Sequence, residues 1–243
     1  MAAFIILVSQ LFTTPMAFAQ SDINIYFDRQ FYTSGDEVGL LWRPQGVAVD
    51  SQDRIIVAKQ NHTIDDGENV IHICDDRGSC TAFGKRGSGA GQFLGVHRVA
   101  VDSNDRIIVS DMGNHRIQIC DYFGECTTFG GYSGNPIVES SDSGKTQAEA
   151  GKFADPTGVA VDSQDRIIVA DSWNRRIQVC DDMCTCTTFG RQGEGVGEFG
   201  ITRGLTVDSQ NRIIVADTSN HRIQICDTQG NCAAFGEAGT NPG

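Results

Sequence analysis

The chain has 243 residues, 40% hydrophobic and 21% charged, a globular composition long enough for one large β domain or two small domains. Its formal net charge of −12 argues against nucleic acid and anionic membrane surfaces as partners, because binding phosphates and releasing their counterions needs a basic face. Glycine (28 residues) far outnumbers proline (5), which favours many turns in a single β-rich body over domains joined by rigid linkers.

Residues Met1–Ala19 carry no charged side chain, run through Phe4-Ile5-Ile6-Leu7-Val8 and end Ala17-Phe18-Ala19. An apolar core before a small-x-small site reads as a signal peptide cut before Gln20, leaving residues 20–243 as the folded part. No later apolar stretch approaches the roughly 20 residues that would span a bilayer, so no membrane span is expected.

Beyond this segment the chain repeats itself. Asp50, Asp102, Asp162 and Asp208 begin Asp-Ser-Gln-Asp-Arg, Asp-Ser-Asn-Asp-Arg, Asp-Ser-Gln-Asp-Arg and Asp-Ser-Gln-Asn-Arg, spaced by 52, 60 and 46 residues. Repeat one holds a six-residue insertion between Val57 and Cys74, and fourteen residues are inserted after repeat two; removing them leaves a period of 46 throughout. A fixed period with insertions confined to turns indicates stacked copies of one supersecondary unit.

Each unit reads as four short strands. In repeat three these are Gly158–Val161, then Arg166–Ala170 after the turn Asp162–Asp165, then Arg176–Cys180 after the loop Asp171–Asn174, and finally about Cys186–Phe189. The second strand is apolar in succession instead of alternating, the pattern of a strand buried on both faces. A blade packed between two others provides that environment, and period, strand count and two-sided burial together predict a β-propeller of four-stranded antiparallel blades. The blades fall at approximately 45–93, 97–131, 157–199 and 203–236, with the insertion at 132–152.

The pattern Gly-Val-Ala-Val-Asp, Ile-Ile-Val-Ala-Asp and Asn-x-Arg-Ile-Gln resembles the NHL repeat, with its last part at Asn114-His115-Arg116, Asn174-Arg175-Arg176 and Asn220-His221-Arg222. Repeat one departs from it, with Lys59 in place of the aspartate. The resemblance spans roughly residues 42–236 and implies a propeller, often six-bladed. Within it, Asp111, Asn114 and Arg116, like Asp171, Asn174 and Arg176, read as residues that satisfy turn backbone and pair with one another. Phe31 precedes Gly46 by 15 residues, as Phe83 precedes Arg98 and Phe189 precedes Gly204, so Ile25 to about Thr33 reads as the outer strand of a further blade. The expectation is four complete blades plus that N-terminal strand, an incomplete five- or six-bladed propeller whose open edges invite self-association.

Eight of the nine cysteines form pairs six residues apart: Cys74 and Cys80, Cys120 and Cys126, Cys180 and Cys186, Cys226 and Cys232. In three of the four intervening loops Asp comes first and Gly fourth, the chemistry of a type I turn followed by a left-handed glycine. That hairpin sets the cysteines opposite each other, near enough for a disulfide. Zinc is the weaker reading, since Cys-x5-Cys is not a usual zinc spacing and no histidine accompanies it. Reduced core thiols fit poorly with a signal peptide, which places the chain in an oxidising, extracellular or periplasmic compartment. Cys184 takes the glycine position in repeat three and is left over as an inert substitution.

Propellers bind ligands at one mouth of the channel lined by their innermost strands. The positions just before the first strands are Gln45, His97, Thr157 and Arg203, and Arg98 replaces the glycine found at 46, 158 and 204. Polar residues that differ on an otherwise repeated scaffold are the candidate ligand contacts. No catalytic residues, metal ligands or cofactor are assigned. Some NHL proteins are amidating lyases with zinc held by histidines in the channel; here only His97 of the five histidines sits at an innermost strand, and a catalytic zinc needs three ligands at one point. The sequence is thus read as a secreted binding or interaction scaffold taking a protein or small-molecule ligand at the channel mouth. The alternatives are a metal-dependent enzyme of the amidating-lyase or lactonase kind, and an intracellular NHL protein linked to ubiquitin ligation or RNA binding.

Overall fold

In the computed structural model, residues 43–60, 70–132 and 149–238 are described. The expected signal peptide, the strand at 25–33 and most of the insertion at 132–152 lie outside them. Four four-stranded antiparallel sheets follow one another along the chain. The first holds β1 (Pro44–Val49), β2 (Ile55–Lys59), β3 (Val70–Cys74) and β4 (Cys80–Phe83); a parallel pair of two-residue strands, β5 (Lys85–Arg86) and β6 (Gln92–Phe93), links it to the next. The second comprises β7 (Val96–Val101), β8 (Ile107–Asp111), β9 (Arg116–Cys120) and β10 (Cys126–Gly130). Then come β11 (Pro156–Val161), β12 (Ile167–Asp171), β13 (Arg176–Cys180) and β14 (Cys186–Phe189), and β15 (Gly204–Val207), β16 (Ile213–Asp217), β17 (Arg222–Cys226) and β18 (Cys232–Phe235). Strand order within each sheet follows the chain, so each is a propeller blade, with β1, β7, β11 and β15 innermost and packed in succession. The second strands run one residue further than the sequence pattern suggested: in blade 3 the aspartate Asp171 is the last strand residue, because it pairs with Arg176 across the ladder.

The core consists of three apolar layers between successive blades. Ile56, Ala58, Ile71 and Ile73 of blade 1 meet Val99, Ile107 and Val109 of blade 2. Ile108, Ile117 and Ile119 of blade 2 meet Val159, Ile167 and Val169 of blade 3, whose Ile168, Ala170, Ile177 and Val179 meet Ile213 and Val215 of blade 4. Neighbouring residues of a second strand point to opposite faces, so sandwiching between two blades buries all five residues of β8 and of β12. In β16 burial alternates instead, because no blade covers its other face among the described residues. The inner strands record the same difference. A Cβ added to Gly46 would meet the Arg98 Cα at 2.8 Å, and one on Gly158 would meet the Leu205 nitrogen at 3.2 Å, but at Gly204 nothing lies within 4 Å. Glycine is therefore needed at 46 and 158, where β1 abuts β7 and β11 abuts β15, and the described array is open at blade 4.

Two recurring turns explain the motif residues outside the strands. In Asp50–Asp53, the Asp50 carboxylate accepts the Gln52 and Arg54 backbone N–H groups and the Arg54 Nε, while Asp53 takes a left-handed φ of 59°. Asp105, Asp165 and Asn211 repeat that conformation at 58–59°, which short polar side chains tolerate. These same residues clasp the preceding blade. Ser51 donates its N–H and hydroxyl to Asp105 (2.9 and 2.6 Å), and Ser103 does so to Asp165 (2.9 and 2.5 Å).

The second turn carries the disulfides. Gly78, Gly124 and Gly230 take φ of 83–86°, and the ladder sets Cys74, Cys120, Cys180 and Cys226 directly opposite Cys80, Cys126, Cys186 and Cys232. All four pairs are disulfide-bonded, with Cα–Cα distances of 4.0–4.1 Å. Cys184 is free and, like the glycines of the other hairpins, adopts a left-handed conformation, with φ of 62°; burial first, and the neighbouring Asp181 charge second, push its pKa up. Nine cysteines and four bridges should leave one free thiol per chain on denaturation without reductant. A thiol titration returning eight or nine in natively produced protein would remove the disulfides from the fold.

Candidate functional site

The inner strands begin at the same end as the β2–β3, β8–β9, β12–β13 and β16–β17 loops, since Pro156 at the start of β11 lies opposite Asp171 at the end of β12. The positions expected at the channel mouth sit here. Gln45, His97, Arg98 and Thr157 fall on successive inner strands and hydrogen bonds link them from blade to blade, while Arg203 immediately precedes β15. An Arg98 guanidinium N–H donates to the Gln45 carbonyl. His97 Nδ1–H donates to the Thr157 carbonyl at 2.6 Å. The Thr157 hydroxyl in turn reaches the Thr202 carbonyl (2.8 Å), and Arg203 follows on the exposed rim.

Arg98 stands where three repeats have glycine, and the local ladder shows how it is accommodated. The inner strands of blades 1, 2 and 3 all shift register here, and in blade 2 the Arg98 backbone also bonds to the Ser110 hydroxyl, which accepts from its N–H (2.8 Å) and donates to its carbonyl (3.2 Å). The other blades have Ala58, Ala170 and Ala216 at the position of Ser110. Ser110 thus supports the exception, and its signal lay in that single change of residue type. The Thr157 side chain is turned inward: it is buried and bonded to Ser172 Oγ (2.6 Å) and to the Thr202 carbonyl, so it braces the rim without facing solvent.

Burial depresses the His97 pKa, the Arg98 and Arg203 charges depress it further, and the Thr157 hydrogen bond opposes them. The ring is therefore neutral at pH 7. Arg98 is also lowered by burial. Below this rim a hollow of about 550 Å³ is lined by all four inner strands, among them Gln45, Val47, Arg98, Val159 and Leu205. Val47 and Val49 expose more than half of their surface. The lining is mixed, with the Val47, Val159 and Leu205 side chains beside Gln45, Arg98 and Thr206, and the Arg98 guanidinium is suited to a carboxylate or another oxygen-rich acceptor. Among the described residues no three His, Cys, Asp or Glu side chains gather where they could hold a metal.

The repeat-motif residues are all engaged within the fold. Asp111 Oδ2 accepts from Asn114 (2.8 Å), Arg116 (2.8 Å) and Gln118 (2.9 Å), while Arg116 also donates to the Ser88, Gly89 and Gln92 carbonyls of the incoming linker. Asp171 and Asp217 organise the same networks in blades 3 and 4. The motif is thus a clamp that ties each linker to the blade it enters.

The NHL repeat family model matches residues 93–120, 153–180 and 203–226, which are the linker, inner strand and following two strands of blades 2 and 3 and the corresponding strands of blade 4. Solved structures share the fold at low identity. A streptogramin B lyase superposes with a TM-score of 0.58 at 17% identity, over 85% of this chain and 57% of that one. A catalytically inactive virginiamycin B lyase from Staphylococcus aureus with quinupristin gives 0.56 at 15% identity, over 79% of this chain and 55% of the other. A putative gluconolactonase gives 0.55 at 11%, over 80% and 63%. The chain therefore spans less than two thirds of each of these three structures. No curated protein matches it in sequence.

Proposed function

We propose that this chain, a propeller carrying NHL repeats, is a secreted binding module that takes an acidic ligand, on a protein or a small molecule, at the Arg98 end of its channel. The observation that carries the reading is the joining of Gln45, His97 and Arg98, with Arg203 beside them, above the hollow lined by the inner strands, in a chain whose net charge is −12. Two guanidinium groups on an acidic protein form a local exception that favours carboxylate recognition. Four disulfides favour an oxidising compartment, in keeping with the sequence of Met1–Ala19. No helix among the described residues is long and apolar enough to cross a membrane.

Affinity capture from extracellular fractions, run in parallel with the chain and with an Arg98→Gln, Arg203→Ala double variant, tests the site. A ligand retained by the chain and lost from the variant is the expected result; equal retention places binding elsewhere. Metal analysis of the purified protein separates this reading from an enzyme of the lyase or lactonase kind, for which stoichiometric zinc or calcium is required.

A further inference from the structure

The blades are close copies, so each cleft between them serves as a control for the others. Between blades 2 and 3, on the same end as the channel mouth, a hollow of about 440 Å³ is lined by His115, Tyr132, Ala154, Asp155 and Trp173. The cleft between blades 3 and 4 is smaller, about 260 Å³, and at the matching positions it has Arg175, Gln192, Ile201 and Ser219. The matching linker and loop positions between blades 1 and 2 are Arg86, Gly95 and Gly113. The equivalence is structural: Arg86 pairs with Phe93, Tyr132 with Phe153 and Gln192 with Phe199, all in parallel register. Among the described residues, two aromatic rings, an imidazole and a carboxylate gather in this cleft, and the matching positions between blades 3 and 4 hold none of them.

These groups are held in place yet open to solvent. Tyr132 is 53% exposed and Trp173 46%, although rings of this size are ordinarily covered. Tyr132 packs against His115 with ring centroids 4.8 Å apart and the ring planes tilted by 44°. The Asp155 backbone nitrogen lies 3.1 Å from His115 Nδ1. Asp155 adopts a left-handed φ of 47°, uncommon for a residue with a side chain, and its carboxylate lies 3.2 Å from the same imidazole nitrogen. The Arg175 guanidinium sits 5.9 Å from the Trp173 ring centroid, so one negative and one positive charge flank the cleft.

From this chemistry we propose that the cleft between blades 2 and 3 binds a neutral pyranose unit of a carbohydrate. The C–H face of a sugar packs on an aromatic ring, its hydroxyls need acceptors and donors at the rim, and balanced charge favours an uncharged ligand over a cation or an anion. Trp173 is the stacking platform, Tyr132 the second wall, and Asp155 the acceptor for paired hydroxyls. The site is separate from the channel mouth and does not depend on it.

The test is calorimetric titration of the full chain with cellopentaose, maltopentaose and chitopentaose. At least one binds. Trp173→Ala and Asp155→Asn each weaken that binding on the order of tenfold or more, a loss consistent with one aromatic platform or one charged acceptor. Ser219→Ala, the same loop position in blade 4, binds as the parent does. Arg98→Gln also binds as the parent does, which keeps the channel reading and this one separable. Melting temperatures of the variants confirm that they fold. Binding of none of the three oligosaccharides, or binding unchanged in both cleft variants, overturns the proposal.

Discussion

Replacing Asp171 by alanine should cost about 3–5 kcal/mol of stability, the largest effect expected of any single side chain in the fold. Its carboxylate is fully buried and accepts from the Ala154 N–H (2.8 Å), Asn174 Nδ2 (2.9 Å), Arg176 Nε (2.7 Å) and Gln178 Nε2 (2.8 Å). Arg176 is itself 1% exposed. Removing the carboxylate takes a charge 2.7 Å away from a buried guanidinium whose other bonds include those to the Glu149 and Lys152 carbonyls. An uncompensated buried charge is far more costly than the loss of a surface pair. Arg191 and Glu198 supply the comparison: they also bond, at 2.8 Å, but the Arg191 side chain is 77% exposed, so Arg191→Ala should change stability by less than about 1 kcal/mol. Urea unfolding of the two variants decides the matter. Similar midpoints for both would mean that the clamp does not hold the blades.

Acid should destabilise the protein through His72, and glutamine at that position should relieve it. Blade 1 departs from the repeat by having Lys59 where the others have aspartate and His72 where they have Gln118, Gln178 and Gln224. Both side chains are buried, and burial first, then the Lys59 charge, lowers the His72 pKa from 6.5 to about 4. Above pH 6.5 the imidazole is neutral in the folded and unfolded states alike, and it contributes no pH dependence. As pH falls below 6.5 the unfolded chain takes up a proton that the folded chain refuses, so stability falls by about 1.4 kcal/mol per pH unit until about pH 4. The full loss is about 3 kcal/mol. Carboxylates titrate in the same range, so the informative quantity is the difference between the chain and His72→Gln. Denaturant unfolding at pH 7 and pH 4.5 should show a drop smaller by about 2–3 kcal/mol in the variant. An equal drop in both proteins would assign the acid sensitivity to other groups.

Much of the architecture was legible in the order of residues. The constant period located the blades, the apolar succession of Ile167-Ile168-Val169-Ala170 announced burial on two faces, and the Asp-x-x-Gly hairpins set the cysteines in register. Each of these is local or periodic information, and the strands simply carry it out. The left-handed positions at Asp53, Asp105, Asp165 and Asn211 belong to the same class, because a four-residue turn chooses its conformation without help from the rest of the chain.

Contacts between blades were not legible, because they join residues some 50 positions apart whose types vary freely on the surface. The sequence offered Arg98 as an exception to glycine, but only the packing of β1 on β7 shows that glycine elsewhere makes room for a neighbouring backbone. It offered Thr157 as a ligand contact, and the fold turned that hydroxyl inward onto Ser172 and Thr202. His115, Tyr132, Asp155 and Trp173 are spread over 59 residues and share no motif, so nothing in their spacing unites them. By itself the sequence determined the blades, the turns and the disulfides, since these follow from periodicity and short-range backbone chemistry. The tertiary structure decided which side chains face solvent together, because that depends on how one blade is stacked against the next.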